Sequence, residues 1–542
     1  MLTRRELIKL GLLSGTYTLL DRKWVFADNL PPSPPTTPFV MDLPLPPAPW
    51  EVAPFPSPEN ATFIGPDTRF FQLIQEERLV SFHPELPSTK IWSYRDINVP
   101  PGSFPFALGP TFLATIGQGA GGGVLVRQIN NLPPQHRGFG DPHTTTHLHG
   151  GHSPSRSDGF PTLDIAPGET FDHAYPLRDP GYATGHPDAA ERASTLWYHD
   201  HLIDFTGPNV YRGLAGFFLV FDELDTGEET TGLRLPSGPF DVPLVLQDKR
   251  FAPDGSLVFD ALDHNGFLGD KFTVNGAIQP RFRVKRRKYR FRFLNGSNAR
   301  FYLIVLANQN GHTFAFDHIA TEGGLLAAPI RNLRGFQIAP AERVEIVVDF
   351  SQFQTGDTVF LENRLRQDDG RKPGDVLTRG PQILQFVVDD AVDDPSQVPD
   401  VLRPFEAISQ AELNRATVRT FEFERSDGAW SINGKFFDPN RPLVSPTVNT
   451  PEIWRLVNGS GGWAHPIHVH LELMRVLRRN GKVPPLSERD GFARRDTVTL
   501  GPNDRADVFV KFRDFTGPFV FHCHNLEHED MAMMARFDIG PA

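Results

Sequence analysis

A short theme recurs three times along this chain at nearly equal intervals, and that regularity restricts the fold before any single residue is considered. Arg127-Gln128-Ile129-Asn130, Arg292-Phe293-Leu294-Asn295 and Arg455-Leu456-Val457-Asn458 stand 165 and 163 residues apart, each closing a run with strand-like apolar alternation. A second echo follows each one: Ile165-Ala166-Pro167-Gly168-Glu169, Ile338-Ala339-Pro340-Ala341-Glu342 and Leu500-Gly501-Pro502-Asn503-Asp504. These are proline turns that lead into alternating strands such as Val344, Ile346, Val348 and Ala506, Val508, Val510. The pattern predicts an all-β chain of three consecutive β-sandwich domains near residues 45–225, 235–390 and 415–542, with the acidic segment 391–414 as linker. Length agrees, because 542 residues exceed what one hydrophobic core serves. So do 47 glycines and 51 prolines, which belong to a turn-rich β protein.

The last strand reads Phe519-Val520-Phe521-His522-Cys523-His524 and contains the only cysteine. Side chains alternate across a strand, so His522 and His524 point one way and Cys523 the other. One tripeptide can therefore touch two metal sites. On the sulfur side His528 lies five residues on and Met533 ten residues on. Thiolate, imidazole and a weak thioether are the ligand set of a blue-copper electron-transfer centre once a second histidine joins.

His-X-His triplets support the metal reading. A shuffled chain of this composition would show about 0.7 of them by chance. Four are present: His147-Leu148-His149, His199-Asp200-His201, His468-Val469-His470 and His522-Cys523-His524, the third preceded by His465 at a spacing of three. His199-Asp200-His201 stands in the first domain where the third has His522-Cys523-His524. It keeps the outer imidazoles and lacks the thiolate. The middle domain has Leu361-Glu362-Asn363 at the matching place and is expected to be a copper-free spacer. Eight histidines then converge from the first and third domains, which implies a metal cluster at their interface. His143 and His152 read as bystanders, and Met531 and Met534 as packing residues.

Net charge is −11, which speaks against nucleic-acid binding. The local basic run from Arg283 to Arg292 alternates with phenylalanine and reads as a strand with one solvated face. Near the N-terminus, Thr3-Arg4-Arg5-Glu6-Leu7-Ile8-Lys9 precedes a short apolar stretch, and Val25-Phe26-Ala27 offers small residues for cleavage. This resembles a twin-arginine signal over residues 1–27, implying the twin-arginine export machinery as partner and a periplasmic or extracellular location. Residues 28–44 read as an extended, proline-rich lead-in. No segment qualifies as a transmembrane helix, and a monomer is expected.

Taken together, HLHG, WYHDH, HPIHVH and HCHNLEHEDMAMM resemble the four copper segments of the three-domain multicopper oxidases. HLHGG, NGSNARFY and HCH followed by LEHED are similar to bacterial spore-coat-type laccases and bilirubin oxidases. The resemblance implies cupredoxin-like Greek-key domains and four copper ions per chain. It matches His465, Cys523, His528 and Met533 to the type 1 (blue) copper, His147 and His468 to type 2, and His149, His199, His201, His470, His522 and His524 to the type 3 pair. Asp158 and Glu529 match acidic groups near the cluster and are proton-relay candidates; Asp158 otherwise sits in an ordinary turn, and Glu529 stands out only beside His528.

The implied activity couples one-electron oxidation of phenols or aromatic amines to four-electron reduction of dioxygen to water. Electrons are expected to arrive through the edge of His528 or His465, pass Cys523, and reach the cluster through His522 and His524. Segments 368–380 and 482–490 are candidates to shape the entrance. Alternatives are a bilirubin oxidase-like enzyme, a manganese or cuprous oxidase, and an exported metal-free binding protein of the same fold. Six methionines with no cluster outside the last strand favour organic donors or manganese over cuprous ion, and a metal-free protein would show gaps among the ligand positions, where none exists.

Overall fold

The computed structural model describes residues 30–57, 65–116, 122–192 and 194–541. The expected export signal lies outside them. Among the described residues the strands sort into six sheets, two for each third of the sequence. The first third forms a sheet in the order Thr89–Asp96, Asp67–Val80, Gly122–Asn131, Thr170–Tyr175, and another in the order Phe112–Thr115, Ala215–Phe221, Thr195–Asp200, Thr146–His149. The middle third forms sheets of seven and five strands between Asp241 and Val388. In the last third, Ala429–Ile432, Thr417–Ser426, Glu452–Asn458, Arg505–Val510 and Arg475–Arg479 make one sheet; Thr497–Leu500, His465–Val469, Gly517–Cys523 and Met534–Ile539 make the other.

Connectivity repeats with the sequence. The strands ending in Asn131, Asn295 and Asn458 each run parallel to the first strand of their own third and antiparallel to the strand that follows the proline turn. The repeated asparagine explains why the two sequence echoes travel together. Its side-chain amide donates to the carbonyl that opens the second echo: Asn130 to Ile165 at 2.7 Å, Asn295 to Ile338 at 3.1 Å, Asn458 to Leu500 at 3.4 Å. Its Oδ1 accepts the amide two residues on, from Leu132, Ser297 and Ser460. One buried side chain thereby satisfies several backbone groups where the chain leaves a strand.

Each third has its own core, centred on Trp92 and Tyr94, on Phe291 and Phe293, and on Trp454 and Phe521. Smaller apolar clusters join the thirds: Trp197 and Phe217 with Val245 and Leu294, Phe160 with Phe437 and Val520, Phe301 with Leu365 and Ala464. The proline-rich lead-in is pinned to the middle third. Phe39 and Leu43 donate backbone hydrogen bonds to Gln279 and Arg281, and Leu43 joins the middle core.

The basic run departs from its expected solvated face. Arg290 and Arg292 are completely buried, because that face of the strand Lys288–Asn295 meets the first third instead of water. Arg290 is bidentate to Asp225, and Arg292 to Asp241. Glu345 receives both guanidiniums as well as Ser194 and Thr195. Burial pushes its carboxyl up, but the two arginines outweigh that and bring it down to about 2. A buried charge network of this kind tolerates no missing member. No helix among the described residues is long and apolar enough to cross a membrane.

Asn295→Ala strands the Arg300 and Ile338 carbonyls and the Ser297 amide that its side chain now serves. We expect a loss of about 3 kcal/mol of stability, since each buried orphan costs roughly 1–3 kcal/mol. Urea denaturation should show the lowered midpoint, with metal content per chain unchanged.

Candidate metal centre

Two strand pairs carry the histidines. In the first third Thr146–His149 lies antiparallel to Thr195–Asp200 with His147 opposite His199. In the last third His465–Val469 lies antiparallel to Gly517–Cys523 with His468 opposite His522 and Ile467 opposite Cys523. The two pairs meet end to end across the domain interface. His147 stacks on His470 with ring centroids 3.9 Å apart, and His149 on His468 at 3.7 Å. All ten histidines singled out in the sequence are at most 1% exposed.

Their potential ligand atoms fall into compact groups, each within 4.8 Å: His465 with Cys523 and His528; His149 with His199 and His524; His201 with His470 and His522; His147 with His149 and His468; and His147 with Asp158 and His470. Strand alternation sorts Cys523 away from its neighbours as expected. Its Sγ lies 3.4 Å from His465 Nδ1 and 3.6 Å from His528 Nδ1, and those two nitrogens are 3.1 Å apart. Met533 is fully buried, and its carbonyl accepts the Cys523 amide at 3.0 Å.

Hydrogen bonding decides which ring nitrogen faces inward. His147 Nδ1 donates to the Asp158 carbonyl, His199 Nδ1 to the Asp200 carbonyl, and His468 Nδ1 to the Asp496 carbonyl; in all three the opposite Nε2 is buried without a partner. His470 Nδ1 donates to the Asp158 carboxylate at 2.7 Å; His522 Nδ1 donates to the Cys523 carbonyl at 3.1 Å and lies 2.9 Å from a Glu529 carboxylate oxygen. Glu529 also lies 3.7 Å from His201 Nδ1, and the Nε2 atoms of His201 and His470 each stand 3.2 Å from Nε2 of His522. Imidazole nitrogens sit about 2.0 Å from a first-row metal ion, so two on one ion at a tetrahedral angle are about 3.3 Å apart. The observed spacing fits a shared ion. His149 is turned the other way: its Nε2 meets Asp496 Oδ1 at 3.2 Å and its Nδ1 is the orphan.

Burial favours the neutral, ligating form of nine of the rings: His465 and His199 are lowered to about 3 and His201 to about 4, and His147, His149, His468, His470, His524 and His528 well below the ordinary imidazole range. Burial also pushes the Cys523 thiol well up. Binding a metal there must therefore release a proton. The two acidic candidates differ. Burial alone pushes Asp158 well above the carboxylate range. Burial pushes Glu529 in the same direction, but His522 and His201 outweigh it and hold the group at about 2.

Four residues that shape the site carry no spacing signal in the sequence. Asp496 holds both His149 and His468, and Arg343 of the middle third, itself fully buried, forms a bidentate pair with its carboxylate. The Asn265 carbonyl accepts from His528 Nε2 at 3.1 Å, and Trp430 lies against the same ring with centroids 4.1 Å apart. The middle third is thus more than a spacer: it supplies Arg343 and Asn265 to the metal-binding rings. Of the two expected entrance loops, one reaches the site, where Gly370 accepts from Asn525 and Arg371 from the Ala464 amide. The other is tied to the strand Arg475–Arg479 through Arg475 and Asp490.

The expectation that donors meet the edge of His528 or His465 needs correction, since both rings are completely buried. Their outer nitrogens are engaged by the Asn265 carbonyl and by the Ser460 hydroxyl at 2.8 Å. Two of the expected bystanders are partnered elsewhere, His143 with Asp141 and His152 with Asp514.

Multicopper oxidase family profiles match residues 108–225 and 410–542. A laccase of Bacillus stratosphericus is 31% identical over 92% of this chain and 99% of its own length. A bilirubin oxidase of Albifimbria verrucaria is 33% identical over 92% of this chain and 81% of its own. The crystal structure of the McoA multicopper oxidase from the hyperthermophile Aquifex aeolicus superposes with a TM-score of 0.74 at 27% identity, covering 92% of this chain and 99% of that one. The chain belongs to the multicopper oxidases, and copper is its cofactor. It is a laccase-like oxidoreductase with three cupredoxin-like β-sandwich units and oxygen as acceptor.

Replacing Asp496 with asparagine should weaken copper retention at the histidine cluster by about 10- to 100-fold, the usual effect of losing a partner of a ligating histidine. Copper counted after graded chelation would show it, with the centre at Cys523 keeping its ion.

Proposed function

We propose that this chain oxidises phenols and aromatic amines one electron at a time at a centre held by His465, Cys523, His528 and Met533. In the same reading His147 and His468 hold the type 2 copper, and His149, His199, His201, His470, His522 and His524 hold the type 3 pair. The observation that carries it is the placement of one thiol: Cys523 Sγ stands with His465 and His528, while the adjoining His522 stands with His201 and His470. Bound copper supplies the one-electron acceptor on the first side and the dioxygen-reducing centre on the second. Cys523 joins the two sides by a few covalent bonds through its own backbone.

The remaining work belongs to the protein. Burial of every ligating ring excludes water from the site. Glu529 sets one oxygen 2.9 Å from His522 Nδ1 and the other 3.7 Å from His201 Nδ1, so it can take up and pass protons at its two oxygens beside the dioxygen side. Asp158 accepts from His470 through its carboxylate and from His147 through its carbonyl, placing a second carboxyl on the opposite flank. Arg4-Arg5 and the apolar stretch after them support export by the twin-arginine route, which mass spectrometry of secreted material for cleavage near Ala27 would test.

Cys523→Ser should remove the blue colour and stop turnover while the histidine cluster keeps its copper; visible and electron-spin spectra with copper quantitation check this. Glu529→Gln should lower oxygen uptake by about 10- to 100-fold with the blue colour retained. Oxygen uptake on phenols, aromatic amines, bilirubin and manganese ranks the donors, and no uptake on any of them would overturn the reading.

A further inference from the structure

The Glu529 side chain is placed without a hydrogen bond of its own. One carboxylate oxygen stands 2.9 Å from His522 Nδ1 and the other 3.7 Å from His201 Nδ1, and both are buried with no hydrogen-bond partner among the described residues. The backbone of the short helix Leu526–Met531 therefore sets where this carboxyl sits. Two neighbouring domains grip that helix. Towards the middle third, the Leu526 amide donates to the Asn298 carbonyl at 3.1 Å, Glu527 accepts from the Asn298 side chain at 2.7 Å and from the Phe267 amide at 3.1 Å, and His528 donates to the Asn265 carbonyl. Towards the first third, the Asp530 carboxylate accepts two consecutive amides, Thr206 and Gly207, each at 2.9 Å. A Cβ at position 207 would stand 3.0 Å from Asp530 Oδ2 and 3.4 Å from Leu526 Cβ, so this close approach depends on glycine there.

Those amides open the helix Thr206–Arg212, which is tied in turn to the His199-Asp200-His201 segment. Asn209 donates to Asp200 Oδ2 at 3.0 Å, and Asp200 Oδ1 accepts the Thr145 amide at 3.0 Å. Near the other end of the helix, Lys249 of the middle third donates to the Tyr211 carbonyl at 2.6 Å. Thr206, Asn209, Asp200 and Lys249 are at most 1% exposed. We propose that Asp530 is a positioning residue for the reduction of dioxygen: by fastening the helix Leu526–Met531 to the helix Thr206–Arg212, it keeps the Glu529 carboxyl between His201 of the first third and His522 of the last. The proposal rests on the function proposed above and on the proton role of Glu529 in it. One carboxylate on two adjacent amides resists both sliding and rotation of the helix. Without it, the side of the helix that faces His201 is released, while the contacts with Asn265, Phe267 and Asn298 still restrain His528.

The test compares the copper-loaded wild type with Asp530→Ala, Glu529→Gln and the double variant. Each is reduced with dithionite without oxygen and then mixed with dioxygen while the blue colour returns. Asp530→Ala should slow that return by about tenfold or more, the scale of a misplaced reacting group, with the intensity of the colour kept. The double variant should be no slower than Glu529→Gln, because a residue that acts through Glu529 has nothing further to lose once Glu529 is replaced. Hydrogen–deuterium exchange of the metal-free protein gives a second readout: the peptide containing Thr206 and Gly207 should exchange faster in Asp530→Ala. Wild-type exchange in that peptide, a wild-type rate of colour return, a slowing that multiplies with that of Glu529→Gln, or loss of the blue colour would each overturn the proposal. Should the alanine variant fail to fold, Asp530→Asn, which offers a single acceptor to the two amides, carries the same comparison. A wild type without blue colour, or a Glu529→Gln variant that recovers its colour at the wild-type rate, would instead overturn the function on which the proposal stands.

Discussion

An imidazole buried away from water has two nitrogens to account for, and a metal can serve only one of them. Ten such rings stand together here, all at most 1% exposed. The protein meets the constraint from outside, by placing a carbonyl or carboxylate at the nitrogen that must not face the metal. The Asp158, Asp200, Asp496, Cys523 and Asn265 carbonyls and the Asp158 and Asp496 carboxylates do most of this. What remains is a set of inward nitrogens that meet either no partner or only one another, which is a description of a metal site drawn from its surroundings. His149 shows how specific the arrangement is, because a carboxylate on its Nε2 side turns Nδ1 inward.

Acceptors of this kind must be held as firmly as the ligands, and this gives the middle third its place. Arg343 leaves a strand of that domain and clamps Asp496, whose two oxygen-bearing groups serve rings on both sides of the interface. Arg290 and Arg292 bind the same domain to the first third through Asp225, Asp241 and Glu345. These ions are worth little as net stability, because desolvation offsets most of their attraction. Their value is positional: a guanidinium with every donor engaged can sit in only one place.

The two sides of Cys523 are asymmetric in their contact with solvent. The histidine cluster lies at an interface between domains, flanked by two carboxyls that burial and neighbouring rings drive in opposite directions. The Cys523 centre is closed by segments of the middle third, and aromatic rings take the place that solvent would occupy at an exposed imidazole. Depth of this kind excludes water from the centre.

Local rules made much of this legible in the chain itself. Strand alternation placed Cys523 opposite its two neighbours, the excess of His-X-His triplets marked the ligand strands, and the spacing of Asn130, Asn295 and Asn458 marked three repeats whose asparagines later proved to tie one echo to the other. Each of these depends on neighbours a few residues apart or on a period along the chain. What tertiary structure alone decided is where distant segments meet. Nothing in the sequence near Arg343, Asp496 or Asn265 distinguishes them from ordinary loop and strand residues, and Arg290 and Arg292 look like a wetted face until another domain covers them. Burial and hydrogen-bond partnership are properties of packing between domains, and side-chain chemistry by itself does not say which surface will be buried against which.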